Sequence, residues 1–365
     1  MGSNIGNKFE YLQKALNAIF EEIGTIAKVS SIYQTPALGF ESDDFLNCVV
    51  WVKGTMSPSK VLTTLLAIEK KMGRERTDTE GYTARVIDID IIAIDDVIKK
   101  TKSLILPHPE MEHRKFVLQP LAELNSSWEH PVSKKNIIRL LADTQDESII
   151  VKQSKWLRNP GKDFDIVKYN YIAIEGNIGA GKTSLAAKIA EDFNAKLILE
   201  RFKDNPFLPK FYKDQQRYAF PLEMSFLADR YQQLLEDIAQ YDLFKDFVVA
   251  DYDAYKSLIF AKVTLQEEEF NLYKKLFHLM HKELAKPDVY IYLYQNTERL
   301  LENIKKRGRA YEKSIKASYL KKINEGYLEF IKNQHSDNIK IIDISNMDFV
   351  ANRKDYLAIL TEIMG

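Results

Sequence analysis

The 365-residue chain has almost no cysteine, Cys48 being its only one. A lone thiol excludes an intramolecular disulfide and any zinc site built from several cysteines, and it fits a reducing compartment. Its setting, the apolar run FLNCVVWV, reads as a buried structural position rather than a reactive one. Net charge is missing too. Lys and Arg total 52 and so do Asp and Glu, so no overall field draws the chain to nucleic acid or to an anionic membrane. Nor does any apolar stretch approach the roughly 18 residues of a spanning helix, and no basic segment followed by an apolar one begins the chain. The expectation is a cytoplasmic protein acting on small molecules, with no nucleic-acid and no membrane partner. No internal repeat or low-complexity segment is present either.

What is present, 45% apolar and 28% charged residues over 365 positions, describes an ordinary globular protein long enough for two domains. Residues 1–145 mix helical and strand-like patterns. KFEYLQKALNAIF and PSKVLTTLLAIEKKMG have helical spacing, while AKVSSIYQT, FLNCVVWVKG and ARVIDIDIIAID read as strands. That mixture predicts a compact α+β domain. Residues 146–168 lose the rhythm and hold charges and an Asn-Pro-Gly turn, so they read as a linker packed on one domain. From 169 to 365 apolar strands alternate with helices: YNYIAIEG, AKLILE, KDFVVADY, PDVYIYLY and IKIIDIS. Such alternation predicts an α/β domain with a parallel sheet. At the start of the chain, Gly2-Ser3-Asn4 reads as a turn that caps the first helix.

The strongest local signal is G-x-x-x-x-G-K-T. Gly176, Asn177, Ile178, Gly179, Ala180, Gly181, Lys182 and Thr183, followed by Ser184, come after an apolar strand and open an amphipathic helix. Glycines let backbone N–H groups point inward around phosphates, Lys182 supplies a cation to the β and γ oxygens, and Thr183 offers a hydroxyl to Mg²⁺. ATP is the implied co-substrate. Ligands collect at the carboxyl ends of strands in such sheets. Glu200 ends KLILE and Asp251 ends FVVAD, so the pair can supply a base for an acceptor hydroxyl and a Mg²⁺ ligand, although either can also be a helix cap. Arg307 and Arg309, flanking Gly308, can close over transferring phosphates or form a solvated basic patch.

EGNIGAGKT, ERFKDNPFLPKFYKD, FLADRY and RGR-x-x-E occur in order over residues 171 to about 335 and resemble the deoxynucleoside kinases of the P-loop superfamily. The resemblance implies that Glu200 takes the proton from the nucleoside 5′-hydroxyl as it attacks the γ-phosphate. Tyr212 and Glu312 would hold the sugar 3′-hydroxyl, with Tyr212 crowding a 2′-hydroxyl. Arg230 and position 223 would face the base, Phe260 would stack near it, and Arg307 and Arg309 would form the phosphate lid. Two positions depart from the pattern. Glu223 stands where many members carry Gln. A carboxylate accepts hydrogen bonds, which favours bases bearing amino groups over thymine and leads to a purine as the expected base. Tyr252 stands where Arg would touch the phosphate, and Lys256 is one helical turn on.

In the first domain Asp88 and Asp90 lie two apart in ARVIDIDI, so on a strand both project from one face about 6.5–7 Å apart. Like charges that close suit one or two Mg²⁺ bridging ATP phosphates, although an Asp-x-Asp is also common polar surface. Arg74, Arg76, Arg85, His108 and Arg114 add cations of phosphate-binding character, and Phe45 and Asn47 share a strand face as a ring and an amide for a heterocycle. GSN, SSIYQTPALG, FLN, E-x-x-x-GRER, R-x-x-DIDI and PHPEMEHRKFVLQPL cover residues 2 to about 140 and resemble the 6-hydroxymethyl-7,8-dihydropterin pyrophosphokinases of folate synthesis. The resemblance implies a ferredoxin-like α+β fold and pyrophosphate transfer from ATP to the pterin hydroxymethyl group. Asp88 and Asp90 would then ligate two Mg²⁺. Thr35, Pro36, Leu38, Phe45, Asn47 and Phe116 would line the pterin slot, and Arg74, Arg76, Arg85, His108 and Arg114 would handle the ATP phosphates. Ala84 stands where the family usually has Pro. In that family a strand precedes GSN, and only Met1 does so here, so a sheet one strand short is the expectation.

Together the two halves read as a bifunctional transferase, with dimerisation through the kinase helices implied by the resemblance. The alternatives are a first domain that binds nucleotide or mediates assembly without catalysis, and a P-loop domain whose acceptor is a nucleoside monophosphate.

Overall fold

The computed structural model describes residues 1–37, 42–74, 84–201, 205–239, 243–334 and 338–365. The chain forms two compact units, Met1–Phe164 and Asp165–Gly365.

The first unit opens with a two-residue strand, β1 (Gly2–Ser3), followed by α1 (Lys8–Glu22). The cap of α1 is Asn7, whose side chain accepts from the backbone N–H of Glu10. Gly2-Ser3-Asn4 is therefore not the capping turn that its composition suggests. β1 pairs antiparallel with β4 (Phe45–Asn47), and Gly2 also bridges Asp88, with Gly2 N donating to Asp88 O at 2.9 Å and Asp88 N to Gly2 O at 2.7 Å. Met1 exchanges backbone hydrogen bonds with Cys48. The expectation of a sheet one strand short is thus not met, because Met1–Ser3 themselves satisfy the backbone between β4 and the Asp88 segment.

The sheet runs β1-β4-β3-β8, with β3 (Tyr33–Thr35) and β8 (Val151–Lys152). A separate pair joins β2 (Thr25–Val29) to β5 (Val50–Lys53), with a register shift between Ile26 and Lys28. Two sequence runs that read as single strands are therefore each divided, one into β2 and β3, the other into β4 and β5. ARVIDIDIIAID forms no strand beyond the Asp88 bridge, yet its alternation survives as buried Ile87 and Ile89 against half-buried Asp88 and exposed Asp90. Helix α2 (Pro58–Lys71), the short pair β6 (Lys99–Lys100) and β7 (Ile105–Leu106), and helices α3 (Lys115–Asn125) and α4 (Ile137–Asp143) complete the unit. Met111, Val117, Leu118, Ile137 and Leu140 form one of its cores. Residues 146–164 pack on this unit. β8 pairs with β3, and Asn159 Nδ2 donates to Ile26 O at 2.8 Å. Trp156 is itself exposed, so backbone pairing and buried Leu157 hold the segment.

In the second unit all five apolar runs become strands of one parallel sheet, ordered β10-β11-β9-β12-β13. They are β9 (Tyr171–Gly176), β10 (Lys196–Ile198), β11 (Val248–Ala250), β12 (Val289–Tyr294) and β13 (Ile339–Asp343). β9, buried along its whole length, lies at the centre. The helices are α5 (Lys182–Asp192), α6 (Leu208–Phe211), α7 (Gln215–Ala239), α8 (Tyr255–Thr264), α9 (Glu267–His281), α10 (Thr297–Arg307), α11 (Ala317–Lys332) and α12 (Arg353–Met364). The core packs Tyr171, Leu227, Tyr252, Tyr273, Phe277, Tyr292 and Tyr327. Among the described residues no helix is long and apolar enough to cross a membrane.

Candidate active site

The loop from Gly176 to Thr183 joins the carboxyl end of central β9 to α5. Its glycines have backbone reasons. Gly181 has φ +84°, and a Cβ there would lie 2.8 Å from the Phe349 ring; a Cβ on Gly176 would meet the Leu293 carbonyl at 2.7 Å. Asn177 is fully buried and fixes the loop to α11, its Nδ2 donating to Leu320 O and Asn324 Oδ1, both at 2.7 Å. Asn303 on α10 donates to Gly179 O at 2.9 Å. Lys182 Nζ donates to the Gly176 and Asn177 carbonyls at 2.9 and 3.0 Å. Burial, reinforced by Lys256, pulls its ammonium down to about 8.

A cleft of about 1210 Å³ opens over this loop. Gly179–Ser184, Glu200, Asp251, Arg307 and Arg309 line it, together with Ser225 and Asp229 of α7 and the Asp348–Ala351 stretch. β10 and β11 are neighbours, which places Glu200 and Asp251 at adjacent strand ends as their sequence positions suggest. Asp251 accepts from the Thr183 hydroxyl through one oxygen and from Glu200 N at 2.8 Å through the other. Thr183 and Asp251 thus offer adjoining oxygen donors of the kind a hard divalent cation takes.

Glu200 is gripped from two sides. Arg230 reaches Oε1 at 2.7–2.8 Å and Lys256 reaches Oε2 at 2.6 Å. Burial alone would raise this carboxyl, but Lys256 and Arg230 overcome it and hold the group at about 2. Arg230 also donates to Ser257 Oγ at 2.7 Å. Nothing in the residue pattern signals that Arg230 and Lys256 converge on Glu200, or that Ser257 supports Arg230. Tyr252, at the position where an Arg was expected, is fully buried.

Glu223, on α7, is 2% exposed. Its Oε1 accepts from the Thr264 hydroxyl at 3.0 Å, while Oε2 is buried with no hydrogen-bond partner. Burial pushes the carboxyl up to about 7, against the pull of Arg230. Tyr212 stacks on Tyr311 at 6.0 Å, and burial, with Glu312 adding to it, raises its phenol well above the ordinary range. Phe260 lies on α8 beneath the Lys256 ammonium, 5.7 Å from its ring centre. Glu312 holds Arg307 at 2.7 Å and Arg309 at 3.3 Å.

In the first unit the residues converge more loosely. Asp88 is paired by Arg85 at 2.7 Å and by Arg74, which also binds Glu69. Asp90 and Arg114 both act on the charge of His108, which burial pulls below its ordinary range. Thr35, Phe45 and Asn47 are buried together in β3 and β4, Asn47 Nδ2 donating to Thr35 Oγ1 at 2.8 Å. The Arg85 guanidinium lies 5.7 Å from the Phe45 ring centre, and Arg114 lies 5.8 Å from that of half-buried Phe116. Pro36 is exposed. Leu38 and Arg76 lie outside the described residues. Among the described residues no three acidic, His or Cys groups gather as a metal site. A pair such as Asp88 and Asp90 fits Mg²⁺ when substrate phosphates supply the remaining ligands.

Comparison with known proteins assigns both halves. The deoxynucleoside kinase family model matches residues 172–364, and the 7,8-dihydro-6-hydroxymethylpterin-pyrophosphokinase family model matches residues 1–126. A deoxyguanosine kinase of Bacillus subtilis (strain 168) is 42% identical over 198 residues, covering 53% of this chain and 95% of that protein. A deoxyadenosine kinase of Dictyostelium discoideum is 36% identical over 185 residues, covering 49% and 74%. A 2-amino-4-hydroxy-6-hydroxymethyldihydropteridine pyrophosphokinase of Aquifex aeolicus (strain VF5) is 38% identical over 136 residues, covering 37% and 83%.

Proposed function

Because the chain belongs to the deoxynucleoside kinases and, through its N-terminal part, to the hydroxymethyldihydropterin pyrophosphokinases, we propose an enzyme that uses ATP for two transfers. The second unit moves the γ-phosphoryl group of ATP to the 5′-hydroxyl of a purine deoxynucleoside. The first, which we read as ferredoxin-like, moves pyrophosphate from ATP to the hydroxymethyl group of a pterin and releases AMP.

The observation that carries the kinase reading is Glu200, a carboxylate held ionised beside a phosphate-binding loop. In the transfer, Glu200 accepts the 5′-hydroxyl proton while Lys182, Arg307 and Arg309 hold the charge spread over the moving phosphoryl group. Glu312, reached by both lid arginines, and Tyr212 bind the 3′-hydroxyl. Glu223, Arg230 and Phe260 surround the base. Thr183 and Asp251 here, and Asp88 and Asp90 in the first unit, would hold magnesium, which supplies positive charge to the phosphate oxygens. Thr35, Pro36, Leu38, Phe45, Asn47 and Phe116 form the pterin slot. Arg74, Arg76, Arg85, His108 and Arg114 serve its ATP, Arg74 and Arg85 exchanging Asp88 for phosphate on binding. Cytoplasmic location agrees with the lone cysteine. A homodimer through the kinase helices agrees with exposed Leu235 on α7 and Leu272 and Leu279 on α9.

Incubating the chain with ATP, magnesium and each of the four common deoxynucleosides tests the kinase reading. Deoxyguanosine and deoxyadenosine should be phosphorylated and thymidine should not. If no deoxynucleoside is phosphorylated the reading fails; if thymidine is best the role of Glu223 fails. The Asp88 ion pairs favour one alternative, a first unit that binds without turning over. AMP release with 6-hydroxymethyl-7,8-dihydropterin decides that point, and its absence from a folded protein would establish the non-catalytic module.

A further inference from the structure

Glu175 is the last residue before the glycine loop, and nothing in the transfer uses it. It is wholly buried at the end of central β9. Each oxygen nevertheless has a defined partner. Oε1 accepts from the Asp253 backbone N–H at 2.7 Å, and Oε2 accepts from the Tyr327 hydroxyl of α11 at 2.8 Å and from Gly176 N at 3.3 Å. Asp253 lies midway between Asp251, which orders Thr183 and Glu200, and Lys256, which grips Glu200. The turn leading into α8 continues from there. The Tyr255 N–H donates to Asp253 Oδ1 at 2.9 Å, and Lys256 N donates to Asp253 O at 3.2 Å. The first turn of α8 then delivers Lys256 to Glu200 and Ser257 to Arg230.

We propose that Glu175 is a positioning residue for phosphoryl transfer, anchoring the 251–256 segment to the phosphate-loop strand so that Lys256 meets Glu200. The acceptor, more than the charge, performs this role. Burial pushes the Glu175 carboxyl up to about 7 against Lys256 and Lys182, so near neutrality it does not act as a permanent anion. A buried peptide N–H, by contrast, requires an acceptor whatever the pH. The inference rests on the kinase reading of the second unit.

Two conservative variants separate reach from charge. Glu175→Gln keeps an acceptor at the same reach without an ionisable group, whereas Glu175→Asp keeps the ionisable carboxyl and withdraws it by about 1.5 Å. With ATP and deoxyguanosine, Glu175→Gln should keep a kcat close to that of the unaltered chain. Glu175→Asp should lose about 100-fold in kcat, the scale of an ångström's misplacement, with KM for both substrates nearly unchanged. Combining Glu175→Asp with Lys256→Met should cost no more than Lys256→Met alone, because both act on one contact. An active Asp variant, a Gln variant that loses kcat as Lys256→Met does, or losses that multiply in the double variant would each overturn the proposal. So would a rise in KM for ATP in place of the fall in kcat, which would place the effect in the phosphate loop. If the unaltered chain phosphorylates no deoxynucleoside the kinase reading itself fails, whereas an active chain indifferent to Glu175→Asp removes only this inference.

Discussion

Replacing Glu200 by Gln should lower deoxynucleoside phosphorylation by about 10²–10⁴-fold in kcat, the usual contribution of a positioned base, and leave pterin pyrophosphorylation untouched. The amide has nearly the same volume and still accepts from Arg230 through its oxygen, but losing a buried ionic partner should also lower the stability of the second unit by about 3–5 kcal/mol. What is lost is the proton acceptor and the counter-charge for two buried cations. At about 2 the carboxyl is ionised throughout the neutral range, and that same depression makes it a weak base. A loose phosphoryl-transfer transition state asks little of its base before the bond to the phosphorus forms, so orientation by Lys256 and Arg230 outweighs basicity. Steady-state kinetics of both reactions on one preparation check the claim. A Glu200→Gln protein that retains kinase activity, or loses both activities together, would contradict it.

The second large effect concerns the choice between the two purines. Glu223 sits near 7, raised from about 4.5 chiefly by burial. As an acid it both donates and accepts, which matches the N1 acceptor and N6 donor of adenine. As a carboxylate it only accepts, which matches the N1–H and N2–H donors of guanine. Its free Oε2 is the atom that changes character. The charged groups around it are Arg230, Lys256 and Glu200, with the phenols of Tyr212, Tyr273 and Tyr319 close by. The ratio of deoxyguanosine to deoxyadenosine kcat/KM should therefore rise as pH rises through about 7. A bidentate match is worth about 1–3 kcal/mol, so a change of about tenfold is expected across the titration. Glu223→Gln, an amide at every pH, should flatten the dependence and favour deoxyadenosine. A ratio that is constant with pH in the unaltered chain would refute the assignment. The sign for stability is opposite to that of an ion-paired carboxylate. Since the folded value lies above the unfolded one, the unfolded chain releases this proton first, and Glu223 makes folding less favourable as pH climbs from about 4.5 to about 7.

Much of the second unit was legible because its information is local. Five apolar runs bounded by charges became five strands, and the glycine loop has a spacing that only one backbone geometry explains. The strand ends located Glu200 and Asp251 for the same reason. Arg230 and Lys256 were not legible as partners of Glu200, since contacts across 30 and 56 positions depend on how α7 and α8 pack, which no periodicity encodes. The first unit shows the opposite failure. FLNCVVWVKG has the composition of one strand, but the chain changes partners at Cys48, β4 facing β1 and β3 while β5 faces β2. In VIDIDI the alternation was right, yet among the described residues Gly2 alone bridges it, too little backbone to make a ladder.

Cys48 lies at that change of partners, 2% exposed, with its backbone joined to Met1 and its thiol raised by burial. The thiolate is the form that attacks thiol reagents, so the native chain is closed to them until that junction separates. Since residues 165–365 contain no cysteine, labelling is a clock for one half of the molecule alone. It times the opening of the N-terminal sheet while the kinase half stays silent, which makes the first unit observable apart from the second in a single unmodified chain.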